Sequence, residues 1–130
     1  MQTIKTHTLA RNERLRGKVR VDNLFTQGKA FIVYPFRIIL MEDEINKGVP
    51  VQVLVSVPKK RIKRAVVRNK LKRRMKEAYR IHKAELSDYL LSQKKTWLIG
   101  ITYVSNDVLP YALIEQKMIE ALQKIKAAIQ

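Results

Sequence analysis

Hydrophobic positions in this 130-residue chain follow two spacings. Val51, Val53, Val55 and Val57 stand two apart around Gln52, Leu54 and Ser56, which predicts a strand over 51–57 ended by Pro58. Val67, Leu71, Met75, Ala78 and His82 recur at three- and four-residue steps and predict one face of a long helix from about 63 to 82 or somewhat beyond. Trp97, Ile99, Ile101 and Tyr103 mark a strand over 96–103. Ile114, Met118, Ala121, Leu122, Ile125 and Ile129 form the stripe of a final helix, with Asn106 and Asp107 as candidate caps and Pro110 in its first turn.

The first third is less regular. Val21, Leu24 and Phe25 predict a short helix over about 19–27, and Gly28 offers it a left-handed C-terminal cap. The run 31–41 is rich in β-branched and aromatic residues but interrupted by Pro35, which has no ladder donor. It reads as a lead-in followed by a strand over 36–41. A polar turn follows from Glu42 to Gly48. These elements predict one α+β domain spanning 1–130, a sandwich in which a small mixed sheet of about four strands is packed by helices on one side.

Composition narrows the class. With no cysteine, disulfides and thiolate metal sites are excluded, which fits a cytoplasmic protein. No apolar run approaches the roughly 20 residues of a membrane helix. Residues 1–11 are polar, read as a loose end, and lack the apolar core of a signal peptide.

Charge changes the picture more. Residues 59–83 hold thirteen of the 27 bases and one of the eleven acids, Glu77, and so carry +12 of the net +16. The remaining fourteen bases and ten acids leave only +4 elsewhere. Arg64, Arg68, Lys72, Lys76 and Arg80 follow one another at i, i+4 along the predicted helix. Arg61, Arg73 and Arg74 thicken this stripe, and Lys59 and Lys60 precede it. Like charges at that spacing repel by a few tenths of a kcal/mol per pair, so the apolar face must hold the helix down until a polyanion neutralises it. The apolar side is Val, Leu, Met and Ala, which suits core packing rather than a membrane surface. Asn69, a poor helix-interior residue, is either a solvated side chain or an amide that helps the arginines grip a phosphate or base edge. A solvated basic face and a nucleic-acid interface both fit these residues, and the density of the stripe favours the second.

No protein catalytic constellation is visible. His7 lies in the polar N-terminal stretch, and His82 falls on the apolar helix face as a core or edge residue. Glu42, Asp43 and Glu44 are read as a solvated turn, with cation binding as the alternative.

The run Ala65-Val66-Val67-Arg68-Asn69-Lys70-Leu71-Lys72-Arg73-Arg74-Met75-Lys76-Glu77-Ala78-Tyr79-Arg80 resembles the signature helix of the bacterial ribonuclease P protein component. Arg68, Asn69, Lys72 and Arg73 match its pattern directly. Lys76 stands where the family commonly has Arg, and Lys63 where many members have Gly. Val57-Pro58-Lys59-Lys60 is similar to the family's Val-Ser-Lys-Lys. Arg14-Leu15, Leu24-Phe25, Gly28 and Phe36 keep the order and spacing of its N-terminal part. Val21 and Ile39 replace frequent aromatics. The resemblance spans roughly residues 11–125 and is weakest in the last third.

The resemblance implies an α/β sandwich with a left-handed strand–helix–strand crossover, against the usual right-handed default. It implies a subunit of an endoribonuclease that removes the 5′ leader of precursor tRNA, in which a catalytic RNA, not the protein, performs the hydrolysis. The implied partners are that RNA, at one protein per RNA, and precursor tRNA. Mg2+ would be held mainly by RNA phosphates. The implied RNA-binding residues are Lys59, Lys60, Arg61, Arg64, Arg68, Asn69, Lys72, Arg73, Lys76 and Arg80. The leader would lie in a cleft between the sheet and the signature helix, against Phe25 and Phe36, with Arg14, Arg16 and Lys18 as nearby phosphate contacts. The alternative is a non-enzymatic RNA-binding module, such as a ribosomal or RNA-chaperone protein.

Overall fold

The computed structural model describes residues 18–42, 51–93 and 96–130, with side chains of the first helix from Val21 onward. Helix α1 (Lys18–Gln27) leads into strands β1 (Lys29–Val33), β2 (Phe36–Glu42) and β3 (Val51–Ser56). Helices α2 (Ala65–His82) and α3 (Ala84–Gln93) then precede β4 (Trp97–Tyr103) and α4 (Tyr111–Ile129). The four strands form one mixed sheet in the order β1-β2-β4-β3. β2 pairs antiparallel with β1 and β4, while β3 lies parallel to β4. A parallel pair needs a crossover, and α2 and α3 supply it.

The predicted lead-in before Pro35 is a strand in its own right. β1 pairs with β2 from Lys29↔Leu40 to Val33↔Phe36. Pro35 follows a cis peptide bond in the two-residue turn, so its missing N–H falls outside the ladder. The second difference is α3, which directly follows α2. Lys83 between them keeps a near-helical backbone (φ −77°, ψ −17°). Leu86 and Leu90 are its two buried anchors, too few for a clear periodic signal.

Helices cover both faces of the sheet, not one. Ile38, Leu40, Val51, Val53, Ile99, Ile101 and Tyr103 share a large core with residues of α2, α3 and α4, including Leu71, Met75, Leu90, Ile114 and Met118. On the opposite face, Leu24 of α1 is fully buried against Ile39 and Leu98. Glycine permits this second layer. A Cβ on Gly100 in β4 would lie 2.7 Å from Ile39 Cγ2 and 3.3 Å from Leu24 Cδ2. Gly28 is not the left-handed cap that its position after α1 suggested, because its φ lies outside that region. Close approach explains it: a Cβ there would meet Leu24 O at 2.6 Å and Leu40 O at 2.9 Å.

The entry to α4 also departs from the expectation. Pro110 occupies the N-cap position with no side-chain cap. Asn106 and Asp107 lie in the preceding bend. The Tyr103 hydroxyl donates to Asp107 O (2.5 Å) and accepts from Leu109 N–H (3.2 Å), and Ser105 Oγ accepts from Asp107 N–H. Tyr103 is fully buried, and burial raises its phenol above the ordinary tyrosine range.

Candidate nucleic-acid interface

The basic segment is built outward from two buried anchors. Val57 and Ile62 are buried on either side of the turn holding Lys59, Lys60 and Arg61. Pro58 O accepts from the N–H groups of Arg61 (3.1 Å) and Ile62 (3.2 Å). Arg64 then adopts an extended backbone as the N-cap of α2. Within α2, Leu71, Met75, Ala78 and Tyr79 are buried and fix which side faces the core. Val67 packs at the edge of that core.

With that face fixed, the exposed side carries Asn69, Lys70, Arg73 and Lys76, while Arg68, Lys72 and Arg80 are half-buried. The i, i+4 stripe advances by about 40° per step around the helix. Within α2 it therefore begins beside the core at half-buried Arg68 and turns outward to exposed Lys76, while Arg64 stands exposed ahead of the helix. Lys59, Lys60 and Lys63 are exposed just ahead of the helix, and Arg61 is half-buried. All ten predicted RNA-binding residues thus fall in this loop and helix, six of them exposed and four half-buried.

Three arginines of α2, Arg68, Arg74 and Arg80, are also internal ties. Arg68 Nη1 donates to Ile62 O (3.1 Å) and Lys63 O (2.7 Å), bracing the turn that presents the lysines. Arg74 Nη1 donates to Leu109 O (2.8 Å), joining α2 to the entry of α4. Arg80 grips Glu77 through Nε–Oε1 (3.0 Å) and Nη2–Oε2 (2.6 Å). The Arg80 hydrogen bond lowers the Glu77 carboxyl below its ordinary range. This pair neutralises the one acid in a segment dense with cations. At the end of α2, His82 Nε2 lies 2.8 Å from Glu115 Oε2 of α4, which makes it an edge residue, as expected.

The predicted leader-binding residues do not all converge. Arg14, Arg16 and the side chain of Lys18 lie outside the described residues. Phe25 is 40% exposed on α1, with its ring edge 3.9 Å from the Cβ position of Gly100. Phe36 is a correction: it is 0% exposed and belongs to the main core. Strand alternation sends Phe36, Ile38 and Leu40 to the α2–α4 side, while Arg37, Ile39 and Met41 face the α1 side. No base can stack on Phe36. Next to α1, the register instead lines up Ile32, Arg37, Thr102 and Ser56 across the sheet, with Ile32 and Arg37 exposed and Thr102 and Ser56 half-buried.

Sequence reasoning also missed Val66, an apolar spot 74% exposed on α2, and Tyr111 at the start of α4. Val66 differs from core valines only in helical phase, which tertiary packing sets. Tyr111 approaches α2 from a part of the chain with no local signal of contact. Among the described residues, no group of three or more His, Asp or Glu is placed to hold a metal ion, and no helix is long and apolar enough to cross a membrane.

A mixed four-stranded sheet whose parallel crossover carries a dense, pre-braced array of cations defines the class of small RNA-binding α+β proteins. The sequence profile of the family Ribonuclease P matches residues 9–126, and the chain belongs to the ribonuclease P protein component family. It is 35% identical over 125 residues to the ribonuclease P protein component of Porphyromonas gingivalis, covering 96% of this chain and 91% of that one. It is 40% identical over 83 residues to that of Chlorobaculum tepidum, covering 61% and 53%. The Staphylococcus aureus RNase P protein shares the fold, with a TM-score of 0.66 at 21% identity over 87% of this chain and 94% of that one. The role of the family is tRNA 5′ processing, as the protein subunit of a ribonucleoprotein, so the partner is RNA.

Proposed function

We propose that the loop 59–64 and the exposed side of α2 bind backbone phosphates of the catalytic RNA of ribonuclease P, one protein per RNA. The sheet face beside α1 then receives the single-stranded 5′ leader of precursor tRNA. The observation that carries this reading is the braced basic surface: Arg68 holds the loop carbonyls while the neighbouring lysines stay exposed. Such a surface is organised before any RNA arrives, which lowers the ordering cost of binding. Phosphate contacts position a protein and carry little sequence information, which suits a subunit serving many precursor tRNAs. Phe25 and Ile32 supply apolar surface for bases, and Arg37 a cation for the leader backbone. Mg2+ belongs mainly to the RNA phosphates, with hard oxygen ligands, and the complex works in the cytoplasm.

The test is cleavage of a 5′-leader precursor tRNA by bacterial ribonuclease P RNA at low magnesium, with and without the protein. Strong stimulation that falls in Arg73→Ala supports the reading. Intact RNA binding without stimulation would replace it with a general RNA-binding module.

A further inference from the structure

The stripe accounts for only one flank of α2. Lys70 and Lys72 are two residues apart, about 200° around a helix, so they emerge on opposite sides. Lys72 and Lys76 continue the stripe. Lys70 and Arg74 lie on the other flank, where with Arg73, Glu77 and Tyr111 of α4 they line an open pocket of about 300 Å3.

We propose that this pocket is a second RNA contact: a backbone phosphate enters between Lys70 and Arg73, and the Tyr111 hydroxyl donates to one of its oxygens. The inference rests on the RNA-binding reading of α2 and extends it to the opposite flank.

Three observations converge on an anion here. The pocket holds three cations, and its single acid, Glu77, is already gripped by Arg80. The Tyr111 hydroxyl is shielded from solvent yet makes no hydrogen bond within the protein. A buried phenol ordinarily finds a partner. The ends of Lys70 and Arg73, long and exposed, can swing aside to admit one. The wall is also fixed in advance, because Arg74 holds Leu109 O two residues before Tyr111.

The geometry selects the kind of RNA. A helix with its side chains is about 10–12 Å across. Contacts on both flanks therefore engage two separate backbone segments, as a folded RNA presents them.

The experiment compares Lys70→Ala, Lys72→Ala and Tyr111→Phe in the whole protein. Binding to a bacterial ribonuclease P RNA is measured over a salt series, alongside thermal unfolding. Each lysine variant is expected to lower the log–log salt slope by roughly 0.7–0.9. Tyr111→Phe is expected to weaken binding about tenfold, the scale of one hydrogen bond to a charged group. Its Tm should not fall, because no hydrogen bond within the protein is lost. If Lys72→Ala lowers the slope while Lys70→Ala and Tyr111→Phe change nothing, the pocket proposal is wrong and the reading of α2 stands. If neither lysine matters, the RNA-binding reading of α2 fails and the pocket fails with it. A drop in Tm for Tyr111→Phe that parallels its loss of binding would make the hydroxyl structural and overturn its contact.

Discussion

Phe36 and Arg37 are neighbours in the chain and lie on opposite sides of the sheet. Phe36→Ala should cost about 3–5 kcal/mol of stability, as a large core truncation does, and should weaken binding of precursor and mature tRNA equally wherever the protein remains folded. Urea unfolding together with paired binding assays checks this, and a selective loss for the precursor would return Phe36 to the cleft. Arg68 mixes two roles. Arg68→Lys keeps the charge but not the planar fork that reaches two carbonyls. Hydrogen exchange at the Arg61 and Ile62 amides should therefore quicken in both Arg68→Lys and Arg68→Ala, at a stability cost of about 1 kcal/mol. Unchanged exchange with weaker RNA binding would make Arg68 a contact only. Tyr103→Phe leaves Leu109 N–H without its partner and Asp107 O with only the long bond from Ser105 Oγ (3.5 Å), and should cost about 1–3 kcal/mol. Because burial raises the Tyr103 pKa, its share of stability is complete below the ordinary tyrosine range. That share is lost as pH climbs from there through the folded-state value. A plot of stability against pH above neutrality should thus be shallower in Tyr103→Phe than in the parent.

At the scale of elements, α1 forms a small layer of its own on the sheet face away from the main core. It rests on Leu24 over Ile39 and Leu98, with Gly100 as the gap that lets it settle. Gly100→Ala places a methyl group against the Ile39 methyl and Leu24 and should cost about 1–3 kcal/mol by overpacking. Amide exchange should rise first in α1, with α4 protected as before; uniform loosening would show that the layer is not separable. The same elements explain what was legible beforehand. Strands β3 and β4 and helices α2 and α4 each repeat their apolar residues often enough to fix type and position. α3 offers two anchors only, and β1 was obscured by a proline that turned out to lie between strands. The basic surface was visible because charge and helical phase coincide in one stretch of chain. Which side of β2 would face a ligand was not, because alternation gives two faces without saying which one α1 covers. Arg37 was passed over for Phe36 for that reason, and Tyr111 because its partners are about 40 residues away.

For the whole molecule, the +16 charge makes ionic conditions part of the structure. At equal ionic strength, sulfate or phosphate should raise Tm relative to chloride, and RNA should raise it further. Binding at one hundred times Kd is worth about 2.7 kcal/mol. Melting curves in matched salts check this, and identical Tm values would mean that the repulsion along α2 is already fully screened. The crossover gives that linkage a direction. β3 and β4 are adjacent in the sheet, yet the chain between them carries +12 of the net +16. Closing so long a connection is entropically costly and tends to be slow, and mutual repulsion along it adds to the barrier. An anion that neutralises α2 therefore also helps zip the parallel strand pair. Folding and RNA assembly thus become one reaction coordinate: a chain that meets its RNA early should complete its sheet faster than one folding alone.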